Sequence, residues 1–405
     1  MNAHVPAWLD VFTRFLRLGL TAFGGPVAHL GYFRREFVER ARWLDDAQFA
    51  EIVALCSVLP GPTSSQVGLA IGLRRAGALG ALAAWLAFTT PSALALASFG
   101  SALRQADRHV LSATSNAALA GALEGLAGVA AAVVVLAVVQ LARRLAVTPL
   151  ARTIGVVAFV LAVALARIAP ALQWLPLVAG AALGAAFGGG AALPATAPAL
   201  RLSRRAGIVA TSVFALLLLG LPIAAVPGTL LALFATFFRA GSLVFGGGHV
   251  VLPFLASVVG PHHVPAAEFF AGYGATQAIP GPLFTFAAFL GAADRAVPSP
   301  PLGALVATLG IFAPSFLLVT AAVPLWQALR DVPRAPAILA GLGAAVVGLL
   351  AAVMVDPIGT TLAREPRGAV IGIAALALLA RTAVPVWLVV AIGAATGALW
   401  NALAH

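Results

Sequence analysis

The chain has 405 residues, 61% of them hydrophobic and 9% charged, with a mean hydropathy of +1.03. Soluble domains carry about a quarter charged residues and are under half apolar, so a water-soluble globular fold is excluded. The formal charge of +11 comes from 24 basic residues, all arginine, scattered in short groups between apolar blocks, which leaves no continuous basic face for nucleic acid.

The composition therefore reads as an all-α polytopic membrane protein embedded in a lipid bilayer. The first apolar segment, 7–25, is punctuated by Asp10, Arg14 and Arg17, so it does not read as a cleaved signal peptide and is expected to stay attached and helical. Windows of about 20 mostly apolar residues, the length that spans a bilayer, follow most clearly at 77–103, 111–142, 206–226 and 335–355. Others lie at 149–167, 171–188, 228–246, 302–328, 367–381 and 384–402. Residues 46–73 and 266–292 are different, because each carries Pro-Gly-Pro in its middle. Proline removes a helical hydrogen bond and glycine permits non-helical backbone, so each stretch predicts two half-helices meeting at a break. Such a break is tolerated at membrane depth only inside protein or beside a wet cavity. The single cysteine, Cys56, lies in an apolar stretch as a small hydrophobe and excludes a disulfide framework.

Two halves are legible. FxRLGLTAFGGP at 15–26 matches FxRAGSLVFGGG at 237–248, an offset of 222 residues. LPGP at 59–62, TPS at 90–92 and LAGAL at 119–123 recur in the same order as IPGP at 279–282, APS at 313–315 and LAGLG at 339–343. The expected units are an N-terminal repeat over 1–190, a breaker- and arginine-rich linker over 191–205, and a C-terminal repeat over 206–405. Arg34, Arg35, Arg40 and Arg42 follow the first glycine cluster, whereas 253–268 has no arginine or lysine. Arginine-rich short loops stay cytoplasmic, so the repeats are expected to be inverted. The match of Arg143 and Arg144 with Arg364 and Arg367 argues the other way.

The breaks are also where a ligand fits. Pro26 follows Gly24-Gly25, Pro62 follows Gly61 and Pro282 follows Gly281, each at a place where a helix can begin; Gly246-Gly247-Gly248 repeats the first pattern without its proline. A helix start offers unpaired N–H groups and partial positive charge, an anion cradle. Thr63, Ser64, Ser65 and Thr285 add hydroxyls, and Gln66, Gln277, His29 and His249 add side-chain donors. Close helix packing alone would also explain small residues and kinks; duplication in register favours the binding reading. Arg17 and Arg239 occupy matching positions, and with Arg34, Arg35 and Arg74 they are candidates for charge contacts or for snorkelling anchors. Glu124, in an apolar block, suits proton coupling or pairing with an arginine, while Asp356 reads as interfacial. His262-His263 has no acid or cysteine at metal-ligand spacing, so no metal and no cofactor are expected. No nucleotide loop occurs; glycine strings such as Gly184–Gly190 lie in apolar helix.

The run FGGPVAHLGYFRREFVERARWLDDAQFAEIVALCSVLPGPTSSQVG at 23–68, with FGGGHVVLPFL at 245–255 and GYGATQAIPGPLFTFAAFLGA at 272–292, resembles the chromate ion transporter family in its long two-domain form. The resemblance covers nearly the whole chain. It implies a multi-pass protein of the bacterial plasma membrane that exports chromate without ATP hydrolysis and confers chromate resistance, with sulfate as the related oxyanion. By motif position it points to Gly24, Gly25, Pro26, His29, Pro60, Gly61, Pro62 and Gln66, and to Gly246, Gly247, Gly248, His249, Gln277, Pro280, Gly281 and Pro282. Glycine in place of Pro26 in the second cluster departs from strict symmetry. A passive oxyanion channel, a sulfate transporter and a lipid-phosphate enzyme are the rival readings, the last lacking a base beside a nucleophile. A homodimer is left open.

Overall fold

The structure, a computed structural model, describes residues 6–106, 113–169, 172–189, 200, 202–245, 251–259, 263–330 and 332–404. The described residues form helices and no strand. In the first half these are α1 (Ala7–Thr21), α2 (Gly25–Phe33) with a π-helical extension to Arg40, α3 (Asp46–Val58), α4 (Thr63–Ala106), α5 (Ala113–Leu145), α6 (Pro149–Ile168) and α7 (Leu175–Phe187). Then come α8 (Arg204–Ala224), α9 (Leu230–Leu243), α10 (Val251–Val258), α11 (Ala266–Thr276), α12 (Phe286–Ala293) and α13 (Pro300–Arg330). The chain closes with α14 (Ala335–Val353), α15 (Thr360–Arg364), α16 (Pro366–Arg381) and α17 (Val386–Ala404). Seven of the described helices are long and apolar enough to cross a membrane, so the chain is a multi-pass membrane protein. Most of the expected linker lies outside the described residues.

Helices end on either side of the Pro-Gly-Pro segments. α3 ends at Val58 and α4 starts at Thr63, with Gly61 between them at φ 117°, in the left-handed region that only glycine occupies without strain. The second Pro-Gly-Pro segment is less clean. α11 ends at Thr276, and after Gly281, at φ 108°, a 3-10 turn over Leu283–Thr285 precedes α12. α4 itself is two helices, since Ala76 and Gly77 leave helical geometry and let residues 63–75 fold back on the helix from 78 to 106, with Gly72 against Gly80. Gly291 meets Gly303 in the same way between α12 and α13.

The windows 7–25 and 228–246 do not become full crossings. α1 and α9 have 15 and 14 residues, about 22 Å at 1.5 Å per residue, and the glycine clusters stop them short of the ~30 Å hydrocarbon layer. α1 and α2 instead make a V with both ends on one side. Arg14 of α1 bonds Asp10 at 2.8 Å and Glu36, beyond α2, at 2.5 Å. Trp43 stands between the guanidinium groups of Arg14 and Arg75, which ties the start of α3 and the end of the 63–75 arm to the same side. Phe15, Phe33, Phe37 and Phe88 fill the space between the arms. The far end of the 78–106 helix meets the second copy: Arg104 donates to the Asp294 carbonyl at 2.8 Å, in the turn before α13. Around that turn Arg295 pairs with Glu268 at 2.8 Å and His263 with Asp294 at 3.1 Å.

Candidate functional site

The two halves interlock at their breaks. The N–H of Gly61 donates to the Val244 carbonyl at 2.7 Å, and the N–H of Gly281 donates to the Ala22 carbonyl at 3.1 Å. Ala22 and Val244 are themselves 222 residues apart in the matched segments. The exchange continues in side chains: Gly61 lies against Ser315, and Gly281 against Ser92, each serine following the proline inside the other half's long helix. Each break is thus held by the opposite half. One consequence corrects the sequence expectation, because the Gly61 and Gly281 amides are spent on protein carbonyls and are not free to bind an anion.

Gly24 and Gly25 remain open. Both have positive φ, at 100° and 75°, and α2 begins at Gly25 with Pro26 in its first turn. The amides of Gly24, Gly25 and Val27 donate to no acceptor among the described residues. Gly24 and Gly25 line a cavity of about 170 Å³ whose walls also include Thr276, Gln277, Ile279 and Gly281 of the second half and Val133, Ala137 and Gln140 of α5. No charged side chain lines it. The Gln277 amide nitrogen is buried there without a partner among the described residues. A buried donor left unsatisfied calls for a ligand or ordered water, and the volume far exceeds the roughly 10–15 Å³ that one water needs. Chemically the site offers amide donors, a helix N-terminus and an apolar wall, which suits a small oxyanion held by hydrogen bonds.

The other candidates stand apart from this cavity. His29 is fully buried on α2, its Nε2 3.2 Å from the Ala22 carbonyl, its Nδ1 3.3 Å from Ser64 Oγ and its ring edge-on to Phe88. It braces the break rather than facing the cavity. Thr63, Ser64, Ser65 and Gln66 open the 63–75 arm around Pro60-Gly61-Pro62, and Gln66 donates to the Pro60 carbonyl at 2.6 Å. Gln66 Oε1 and the Ser315 hydroxyl, both against Gly61, are buried with no partner among the described residues, as are the hydroxyls of Ser65 and Thr89. Thr285 bonds the Pro282 carbonyl in its own turn, beyond Pro280. Gly246, Gly247, Gly248 and His249 lie outside the described residues, as does His262; among the described residues no cluster could hold a metal ion.

The charged candidates divide. Arg34 is exposed and held by Asp46 at 2.8 Å and Glu39 at 2.5 Å, so it ties the loop together. Arg17 and Arg35 line a shallow cavity with Arg14, Glu36 and Arg40, and Arg74 lines another beside Trp43. Glu124 accepts from Asn401 at 3.3 Å, and Asn401 accepts from Arg367, a polar chain joining α5, α17 and α16. Arg239 lines a cavity of about 340 Å³. Gln140 was not singled out from sequence; an amide near the end of the apolar 111–142 block was the available signal.

Interlocked half-helices with a small polar cavity at their crossing define a membrane transporter with discontinuous helices. The chain belongs to the chromate transporter family, whose description matches residues 9–185 and 231–398 and leaves out α8 between them. It is 32% identical over 362 residues to a chromate transport protein of Pseudomonas aeruginosa, covering 88% of this chain and 82% of the relative. A chromate transport protein of Cupriavidus metallidurans is 27% identical, with 83% and 79% covered. An uncharacterized transporter of Methanocaldococcus jannaschii is 28% identical, with 86% and 84% covered. No solved structure matches the chain.

Proposed function

We propose that the chain exports chromate across the bacterial plasma membrane as a secondary transporter, with sulfate as the related substrate, and so confers chromate resistance. The observation that carries the reading is the cavity in which Gly24 and Gly25 of one half face Gln277 and Gly281 of the other. Free amides at a helix start and an orphaned amide side chain are the donors a tetrahedral dianion needs, and the relatives named for chromate transport supply the identity of the ion. Lining the site with neutral donors also suits release, because a fixed cation would hold a dianion more tightly.

The halves, 1–190 and 206–405 joined by 191–205, act as inverted repeats in this reading. α1–α2 and α3 with the 63–75 arm return to the side they start from, as the contacts among Asp10, Arg14, Glu36, Trp43 and Arg75 require. In this reading the 78–106 helix, α5, α6 and the shorter, 13-residue α7 bring the chain back to that side, and α8 crosses once more, so that α9 starts the second copy from the other. The bond from Arg104 to Asp294 supports this, since it puts the second copy's turn at the opposite end of the 78–106 helix from Arg75. The arginine-rich stretches 34–42, 143–152, 204–205 and 330–334 then share the first side, which is cytoplasmic by the positive-inside rule.

Export needs no nucleotide: each unit charge moved through the potential is worth about 2.3 kcal/mol per 100 mV, and a dianion leaving a negative interior gains about twice that. Uptake of labelled chromate and sulfate into inverted vesicles tests the reading. Saturable uptake with counterflow is expected; no uptake of either ion overturns it, and flux that does not saturate identifies a channel instead.

A further inference from the structure

The 340 Å³ cavity around Arg239 is separate from the glycine-lined one and twice its size. Its rim is the α8–α9 connection, at Pro227, Gly228 and Thr229, and the turn at Ala296 and Val297 closes its side. Arg239 sits nine residues into α9, about 14 Å from the start of that helix. It is partly buried and has no ion pair or hydrogen bond among the described residues. A guanidinium withdrawn from water without a partner is costly, and its five-donor fork matches an oxyanion. The one acid on the wall is already engaged, for the Asp294 carboxylate takes His263 Nδ1 at 3.1 Å and the Ala296 N–H at 2.8 Å. Position repeats the message: Arg239 precedes Gly246 by seven residues, as Arg17 precedes Gly24, and Arg17 also lines a cavity.

We propose that the Arg239 cavity is a second, outer oxyanion site, where a free tetrahedral dianion is held by the guanidinium on its way to or from the glycine-lined cavity. It rests on the transport reading for its role and on the cavity and its unpaired charge for its existence. The neutral inner cavity has no long-range pull on an anion, whereas a single cation at the head of the path raises the local anion concentration.

The test uses the full chain in nanodiscs and in vesicles of neutral lipid, with labelled sulfate and chromate as probes. Arg239→Gln is expected to raise the half-saturating concentration by about tenfold, the loss of one charge-assisted hydrogen-bonded contact, with the maximal rate retained. It should also flatten the dependence of that concentration on ionic strength, and Arg239→Lys should recover part of both. Ala296→Glu, on the exposed turn that closes the cavity's side, should act in the same direction and keeps the test open if the glutamine variant does not fold. Unchanged half-saturation in Arg239→Gln, or in Ala296→Glu where the glutamine variant does not fold, overturns the proposal. So does an effect that emerges only when anionic lipid is added, which would assign Arg239 to a lipid headgroup. Wild-type chain that binds sulfate in nanodiscs but moves neither ion sinks the transport reading alone; loss of that binding in Arg239→Gln still establishes the site.

Discussion

Gly25 and Gly281 both need a left-handed backbone, yet a methyl group would meet different surroundings at the two. An added Cβ at Gly25 meets nothing within 4 Å, while at Gly281 it meets Ser92 Oγ at 2.7 Å and Ser92 Cβ at 3.2 Å. Gly25→Ala therefore carries only the strain of its φ, about 1–2 kcal/mol, and narrows the cavity mouth; Gly281→Ala adds a clash where the halves interlock. Thermal unfolding in detergent should show a modest loss for the first and a larger one for the second, with vesicle transport reduced in both. The two glutamines separate affinity from stability. Gln277 has a donor without a partner, so Gln277→Ala should leave the unfolding midpoint unchanged and weaken oxyanion binding by roughly 1.5–3 kcal/mol if the amide meets the charged ion. Gln66 spends its donor on Pro60, so Gln66→Ala should lower the midpoint.

Among the helices, α5 carries Gly121, Gly125 and Gly128 on a face that meets Gly397 and Gly393 of α17 and Gly368 of α16, backbone against backbone. In lipid, where apolar surface gives helices little reason to associate, such small-residue faces let dispersion and close approach hold the bundle. Gly121→Val should lower the unfolding midpoint by the roughly 1–3 kcal/mol of overpacking or more. Gly31→Ala, where an added Cβ meets nothing, should leave it unchanged or raise it slightly. What the sequence made legible at this scale is what proline and glycine dictate locally: the breaks at Gly61 and Gly281 and the start of α2 at Pro26. The pairing of elements was not legible. That Gly61 would bond Val244 and Gly281 would bond Ala22 depends on tertiary docking of two halves, which leaves no periodicity in either strip of chain. For the same reason His29, attractive as a donor by its place in the motif, packs as a brace, and Gln140 enters the cavity from the end of an apolar helix just before Arg143 and Arg144.

At the scale of the whole molecule, the exchange of bonds between the breaks fits the two-fold relation of the proposed repeats but leaves the direction of its axis to the threading. An axis along the membrane normal would put equivalent turns on one side. The contacts argue for an axis in the membrane plane, because the 78–106 helix, about 43 Å long, touches the first copy's turn through its start near Arg75 and the second copy's turn through Arg104. That length exceeds the ~30 Å hydrocarbon layer, so the two turns emerge on opposite sides. Ala47, at the start of α3, and Ala296, in the second copy's turn, are both exposed, and the native Cys56 is buried and should stay silent to thiol reagents. With cysteine placed at one position at a time, a membrane-impermeant maleimide added to intact cells should label Ala296→Cys and spare Ala47→Cys until the membrane is opened. Equal labelling of the two in intact cells would place both turns outside and rule out inversion, and with it the alternation of a single cavity between two equivalent gates.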